Sequence, residues 1–499
     1  MRGPLDSARA LVSAARRLYP LDSPIAAQLG ELDRRLEGPL RIALVGSVKA
    51  GKSTLLNGLL GERIAPTDAR ECTRIVTRYH YGATPSVRAV LADGTPALLP
   101  ARRQEDRLEL ALHGLSPAEF ERLDVSWPAP GVRGLTFVDT PGTISVTQEA
   151  SDQTDRFLLP EEGAAGADAV IYLLRSLHES DVQFLRALHE RTRHGNAAIG
   201  AIAVLSRADE LGGGRLTAMV SINEAVERLR QHSALQGVCE TIVPVAGLLG
   251  AGASTLRQAD FSVFRNLAAR DPEETRQLMV SVERFLATRD EDLPSERVRA
   301  DLVDRFGMYG IRLALATVRG GIDDAEQLSR ELLRRSGLEE LRRVVDVHFV
   351  QRQSELKAHS IVLAVHRLLR AHPVQGSDEV VVMADEHMAG AHTFAETRLL
   401  GRIAARRLSL SPTLLSELER LVGGRGASPE DRLGVERDGA SAEELVESAA
   451  RHLGRWRELT RNPLLDDETY RAAKIAERSC ESLVVTLMGR EQRTAINFG

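Results

Sequence analysis

Gly46-Ser47-Val48-Lys49-Ala50-Gly51-Lys52-Ser53-Thr54 is the stretch whose reading decides the fold. It fits the phosphate-binding loop pattern, two glycines around a loop that ends in Gly-Lys-Ser. A glycine-rich turn lets successive backbone N–H groups point inward and cradle phosphate oxygens. Gly46, Ser47, Gly51 and Thr54 belong to that cradle. Lys52 is placed to reach the outer phosphates as a point charge, and the Ser53 hydroxyl to take one position on Mg²⁺. Leu40 to Val45 reads as a buried strand entering the loop. Thr54 to Leu60 reads as the helix leaving it, and its N-terminus favours negative charge.

Composition narrows the rest. A chain of 499 residues exceeds one ordinary core, so two or more domains are expected. With 27% charged residues and a net charge of −5, nothing pulls it generally toward nucleic acid. An aromatic content of 4% suits helices of Leu, Ala and Val better than a β-sandwich. Cys72, Cys239 and Cys480 have no metal-like spacing, which predicts a reducing cytosol. The N-terminal residues lead into no apolar signal-peptide core, and no run is long and apolar enough to span a bilayer. A membrane role is therefore expected to be peripheral. Lysine is rare: Lys49, Lys52, Lys357 and Lys474 are the four in the sequence, and two of them fall in the loop. Lys52 is required by the pattern. Lys49 is not, and a compact ammonium beside the phosphates explains it better than chance.

Ahead of the loop, residues 6–19 and 24–36 read as helices, the second capped by Ser23 with Pro24 at its first position. Residues 39–250 alternate strands and helices, which predicts a largely parallel sheet covered on both faces. A strand is expected over 74–81 and another over 86–91, with 95–125 as an insertion. Thr73, directly before the second strand, is the expected switch threonine closing over Mg²⁺ and the last phosphate, with Thr67 as the alternative. Leu135-Thr136-Phe137-Val138-Asp139-Thr140-Pro141-Gly142 is the next signature. There a buried strand ends in an acid for the Mg²⁺ shell, held through water, and the Gly142 N–H is placed to sense the last phosphate. Further strands are expected over 167–174, 199–205 and 241–245. The 199–205 strand ends in Ser206-Arg207-Ala208-Asp209, a variant of the guanine-reading motif Asn/Thr-Lys-x-Asp. Its acid accepts from guanine N1–H and the exocyclic amine, a donor pair that adenine lacks. The arginine stem can stack on the base as a lysine stem does. Ala246-Gly247, after the last strand, is the expected base-backing loop.

From about 255 onward helices dominate. Expected spans are 255–289, 297–319, 323–335, 338–371, 378–404, 411–422, 441–458 and 466–489, separated by Gly, Pro and Ser breaks.

These motifs together resemble the bacterial branch of the dynamin-like GTPases. The resemblance rests on Lys49 to Thr54, Ile64 to Ala69, Thr73 to Thr77, Val138 to Thr143, Ser206 to Glu210, and Arg305-Phe306-Gly307-Met308-Tyr309-Gly310-Ile311-Arg312. It implies an α/β phosphate-loop GTPase domain attached to an elongated all-α bundle and stalk. The implied divisions are N-terminal helices 1–38 joining the bundle, a GTPase domain 39–254, a neck helix 255–296, a stalk 297–460, and a last helix 461–499 returning to the bundle. The implied activity is hydrolysis of GTP with Mg²⁺, leaving GDP. It is coupled to dimerisation through the GTPase domains and to remodelling of an anionic membrane from the inner face of the plasma membrane. A related dynamin-like protein is the implied partner. Val48 stands where dynamin carries its loop glutamine, and Thr143 where Ras-type enzymes carry theirs. Water must then be oriented by backbone groups, a partner subunit or Lys49, which places Lys49 with Lys52, Thr73 and Gly142 among the catalytic candidates. If helix 297–319 runs away from the GTPase domain, Arg334, Arg335, Arg402, Arg406 and Arg407 share one distal, membrane-facing end. If the 338–371 helix runs outward instead, the tip is Val374–Met383. The competing readings are a ribosome-assembly or translation GTPase that binds RNA, which the acidic balance disfavours, and a phosphate-loop ATPase, which Asp209 disfavours.

Overall fold

The computed structural model describes residues 3–65, 75–104, 107–110, 119–141, 166–176, 181, 183–184, 200–210, 219–231, 241–390, 392–404, 408–435, 441–462 and 464–497. Among the described residues there are eleven strands: β1 (Leu40–Gly46), β2 (Thr77–Tyr81), β3 (Ser86–Leu91), β4 (Pro96–Leu99), β5 (Ala101–Gln104), β6 (Arg107–Leu110), β7 (Phe120–Trp127), β8 (Leu135–Asp139), β9 (Ala169–Leu174), β10 (Gly200–Ser206) and β11 (Thr241–Val245). Nine form one sheet in the order β11-β10-β9-β1-β8-β2-β7-β3-β4, and β5 pairs with β6 apart from it. The block from β11 to β8 is wholly parallel. β2 then runs antiparallel to β8.

β1 shows why the sheet is mostly parallel. Leu40, Ile42 and Leu44 are buried with Leu55, Leu56 and Leu59 of the Lys52–Leu60 helix on one face. Ala43 and Val45 are buried with Val170, Tyr172 and Leu205 on the other. A strand covered on both faces needs a continuous apolar run, and Leu40 to Val45 is one apart from Arg41.

The 95–125 segment is not only an insertion. Its second half is β7, which lies between β2 and β3 in the main sheet, parallel to β2. Phe120, Leu123, Val125 and Trp127 are buried there. Charge alternating with apolar residues is the pattern of a strand near a sheet edge, and it masked the strand.

The helical part also departs from expectation. The 255–289 span is three short helices, Gln258–Ala269, Pro272–Leu278 and Val282–Ala287, each with its own N-terminal cap. The 338–371 span is two helices, Leu338–His348 and Gln353–Ala371. Neither glycine nor proline marks that break. Phe349 is buried in the sheet cluster, and the buried Arg352 donates to the Val422 carbonyl at 2.7 Å, so tertiary contacts turn the chain. Leu338, Leu341, Val344 and Val345 are buried with β1, β2 and β8 residues, so this helix is built into the core of the sheet domain.

The N-terminal helices Pro4–Arg16 and Pro24–Glu37 pack on Gln353–Ala371 and Ser377–Gly390, burying Leu11, Leu29 and Leu32 against Ile361, Val365 and Leu368. The last helix, Asp467–Asn497, does not join them. Ala476, Cys480 and Leu483 face Trp456 and Leu445 in a separate cluster with the Ala442–Thr460 helix.

Candidate active site

The loop after β1 is shaped by its backbone. Gly46 has φ +151, and a Cβ there would lie 2.5 Å from the Leu173 carbonyl oxygen of β9, so only glycine fits. Lys49 and Arg207 are the two non-glycine residues with positive φ among the described residues, at +62 and +52. They touch: Arg207 Nη2 donates to the Lys49 carbonyl at 3.0 Å. Single left-handed residues of this kind persist where surrounding contacts over-determine them.

Lys52 opens the helix and folds its ammonium back over the loop, donating to the Gly46 carbonyl at 3.0 Å and the Ser47 carbonyl at 3.3 Å. Burial pulls its pKa down, and the charge of Asp139 partly restores it. The Ser53 hydroxyl donates to Asp139 Oδ2 at 2.8 Å. Asp139 ends β8, beside Leu44 of β1. Its Oδ1 is buried without a hydrogen-bond partner. Burial pushes this carboxyl up, against the pull of Lys52 and the Ser53 hydrogen bond. Hydroxyl, carboxylate and an orphaned carboxylate oxygen are the hard oxygen donors that a small divalent cation takes. Thr140 secures the strand end by donating from Oγ1 to the Leu44 carbonyl at 2.8 Å.

The second half of the site follows β10. Ser206 Oγ donates to the Leu174 carbonyl at 3.1 Å, which ties the motif to β9. Arg207 also pairs with Glu210 at 2.6 Å. Its guanidinium therefore bridges the base motif and the phosphate loop. Burial, and next the neighbouring Glu210, push the Asp209 carboxyl up, while hydrogen bonding and Arg207 oppose the shift. Ala50, Gly51, Thr54, Asp209, Gly247 and Leu248 border a cavity of about 160 Å³ between the two motifs.

Two contributions were missed in the sequence. Asn57 is buried, accepts from the Ile64 and Ala65 N–H groups at 2.9 and 2.7 Å, and donates to the Ala65 carbonyl at 2.8 Å. It fixes the chain at the entrance to the first switch. Its signal was an amide among the leucines of residues 55–60. The other is Ser336, whose carbonyl accepts from Ala246 N–H at 2.9 Å and so holds the base-backing loop from the helical side. Nothing local in the sequence links those two positions.

Thr73, its alternative Thr67, Gly142, Arg406 and Arg407 lie outside the described residues. Arg334 and Arg335 are placed, and they correct the expectation of a distal end. They close the Ala325–Ser336 helix and pair with Glu331 at 2.8 and 2.6 Å. Those hydrogen bonds, Arg334 first, pull the Glu331 carboxyl down to about 2. The next residues, Ser336 and Gly337, abut the end of β11, and a Cβ at Gly337 would lie 2.2 Å from the Pro244 carbonyl oxygen. These arginines therefore sit beside the base-backing loop. Tyr309 lies between the two groups, its phenol pushed up by burial and the charge of Asp209, with Arg335 opposing.

Residues 42–204 match the model of the Dynamin family. The isoniazid-induced protein IniC of Mycobacterium tuberculosis (strain ATCC 25618 / H37Rv) is 41% identical over 473 residues, 95% of each chain. The isoniazid-induced protein IniA of the same strain is 30% identical over 293 residues, 57% of this chain and 41% of that one. A solved chain described as part of an oligomerised bacterial dynamin pair aligns over 97% of this chain and 74% of its own, at 15% identity and a TM-score of 0.32. With 41% identity over 95% of each chain and the family match over residues 42–204, the chain belongs to the dynamin family as a bacterial dynamin-like GTPase.

Proposed function

We propose that this GTPase works on Mg²⁺·GTP and couples hydrolysis to self-association through its GTPase domain and to remodelling of the inner face of an anionic membrane. The observation that carries the catalytic part is the Ser53 hydroxyl 2.8 Å from a buried Asp139 whose second oxygen has no partner. Ser53 would hold the ion directly and Asp139 through water. Bound there, the ion would neutralise charge on the outer phosphates. Lys52 exchanges its two loop carbonyls for phosphate oxygens, which relieves an ammonium disfavoured by burial. Gly46, Ser47, Gly51 and Thr54 line the phosphates. Asp209 accepts from guanine, with Ser206, Arg207, Ala246 and Gly247 around the base. Thr73 and Gly142 close on the last phosphate. Lys49, exposed and held by Arg207 through its carbonyl, would supply the water-orienting cation.

Support for the membrane role comes from the direction of the helices. Gln353–Ala371 starts near Leu356 in the sheet cluster and runs outward for about 28 Å at 1.5 Å per residue. At its far end the Tyr19 hydroxyl donates to the His372 carbonyl at 2.5 Å, and Leu18 packs at Gly376. Leu21 and Val374 are 88% and 39% exposed there. This is the outward-running alternative, and it moves the proposed tip to the turns at 19–23 and 372–376. No helix among the described residues is long and apolar enough to cross a membrane. Self-association, and pairing with a second dynamin-like chain akin to IniA, belong to the same proposal. The test is hydrolysis of GTP and ATP with and without Mg²⁺, and with and without phosphatidylglycerol vesicles. GTP-selective, Mg²⁺-dependent turnover stimulated by vesicles is expected. Leu21→Glu with Val374→Glu should lose vesicle sedimentation while Arg402→Glu keeps it; the opposite outcome returns the tip to the arginine end.

A further inference from the structure

A second cavity, of about 860 Å³, lies at the opposite edge of the same sheet. Its floor is the start of β1 and β8, and its walls come from β2, the Pro24–Glu37 helix and the Gln353–Ala371 helix. β1 is seven residues long, so this floor is about 20 Å from the phosphate loop.

Cations crowd this cavity. Arg34, Arg35, Arg41, Arg78 and Lys357 all line it. Four acids line it too, and each has a nearer partner. Asp168 bonds Arg35 at 2.9 Å, Asp124 bonds Arg122 at 3.3 Å, Glu31 bonds Arg34 at 2.9 Å, and Glu37 pairs with Arg9 at 3.6 Å. Three cations are left over. Arg41 reaches only Glu31, at 3.9 Å. Arg78 has no carboxylate within ion-pair distance among the described residues, and its Nε is buried with no partner. Lys357 donates only to the carbonyls of Leu36 and Gly38, at 2.7 and 2.6 Å. Burial and mutual repulsion act on them together. Arg41 is pulled down to about 9 by burial, then by Arg35 and Arg78, with Asp168 and Glu31 opposing. Arg78 is lowered first by burial and next by Arg122, with Asp124 opposing. Asp168, Glu31 and Asp124 offset part of this repulsion, but none of them forms a close ion pair with these three heads, and burying like charges without a close partner is costly. A fold that only needed to fill this space had apolar side chains available at lower cost.

We propose that this cavity is a second anion site, taking a ligand with two or more phosphate-type oxyanion groups held by Arg41, Arg78 and Lys357. Two guanidiniums give planar, forked recognition of such oxygens, and the ammonium adds a point charge. The four acids bar a merely diffuse attraction, because the excess cation is confined to these three heads. The inference is independent of the membrane reading above. Soluble phosphates and lipid headgroups offer the same chemistry, so the experiment separates them.

The full chain, with its nucleotide site filled by saturating GDP and excess Mg²⁺, is titrated with inorganic pyrophosphate by calorimetry. In parallel it is sedimented with phosphatidylglycerol vesicles. Wild type should show one saturable pyrophosphate site, and Arg78→Gln and Arg41→Gln should each weaken it at least about tenfold while GDP affinity holds. Without anion both variants should melt at the wild-type temperature or above, because each removes one of several repelling charges. Headgroup binding lost in the same two variants, without pyrophosphate heat, would keep the site and assign it to lipid. Unchanged pyrophosphate affinity in both variants, or no saturable binding of either probe below about 1 mM, overturns the proposal. So does a lower melting temperature of both variants without anion, which would make the guanidiniums structural.

Discussion

The two ends of the sheet handle buried charge in opposite ways. At the ends of β1 and β8, Lys52, Ser53 and Asp139 lie together, a cation, a hydroxyl and an acid that partly satisfy one another. At their beginnings, Arg41, Arg78 and Lys357 face one cavity, while the nearby acids are taken by other arginines. The first end pairs a cation with an acid, although burial still disfavours both charges and leaves one carboxylate oxygen without a partner. The second is unbalanced from the outset. Proximity of charge thus says little by itself; what matters is whether each acid has its own cation and which groups remain.

The strongest challenge to this comparison comes from Lys52→Ala. Removing the cation of the balanced end should lower GTP turnover by at least about 10²–10³-fold with an unchanged far-UV spectrum. Turnover near wild type would remove the phosphate loop from the mechanism. Asp139→Asn should cost about 10²-fold in turnover and also alter the pH response. Burial holds this carboxyl above its ordinary value. A cation needs the charged form, so Mg²⁺·GTP affinity should fall as pH drops through the raised pKa, at a higher pH than an ordinary carboxylate would require. Calorimetry in buffers of different ionisation enthalpy should detect proton release on binding in wild type and none from this group in Asp139→Asn. Equal release in both would show that the balanced end is not where the proton is held.

Asp209→Asn extends the test to the base. Its carboxylate is likewise raised by burial and awaits donors. The amide should weaken GTP by about 2–3 kcal/mol and favour xanthine nucleotides, read by competition; an unchanged preference would place base reading elsewhere. Asn57→Ala should have the smallest catalytic effect. It orphans the Ile64 and Ala65 N–H groups and the Ala65 carbonyl, so a stability loss of about 2 kcal/mol in urea is expected, with turnover reduced only a few-fold. A turnover loss larger than that of Asp209→Asn would make the switch entrance a catalytic element.

How far each reading reached follows from the range of the physics involved. Gly46, Gly51, Lys52 and Ser53 were legible because a phosphate cradle is made within nine consecutive residues, and Asp139 because a buried strand that ends in an acid is unusual. β7 was harder, since an outer strand tolerates charge and blurs the alternation. The break at Phe349–Arg352 had no local signal at all, because the Val422 carbonyl and the sheet core produce it.

The sequence by itself therefore determined the glycine-lysine-serine loop between β1 and its helix and the parallel half of the sheet, and it offered Asp139 and Asp209 as the candidate cation-shell and base-reading acids. Each depends on neighbours in the chain and on a period that survives in one dimension. Tertiary structure alone decided that the end of the Ala325–Ser336 helix abuts the end of β11, that the N-terminal helices pack on the Gln353–Ala371 helix, and that, among the described residues, the last helix is buried in a separate cluster. It also brought Arg41, Arg78 and Lys357 to one cavity. They are 37 and 279 residues apart along the chain, and electrostatic repulsion depends on distance through space, which no local pattern encodes.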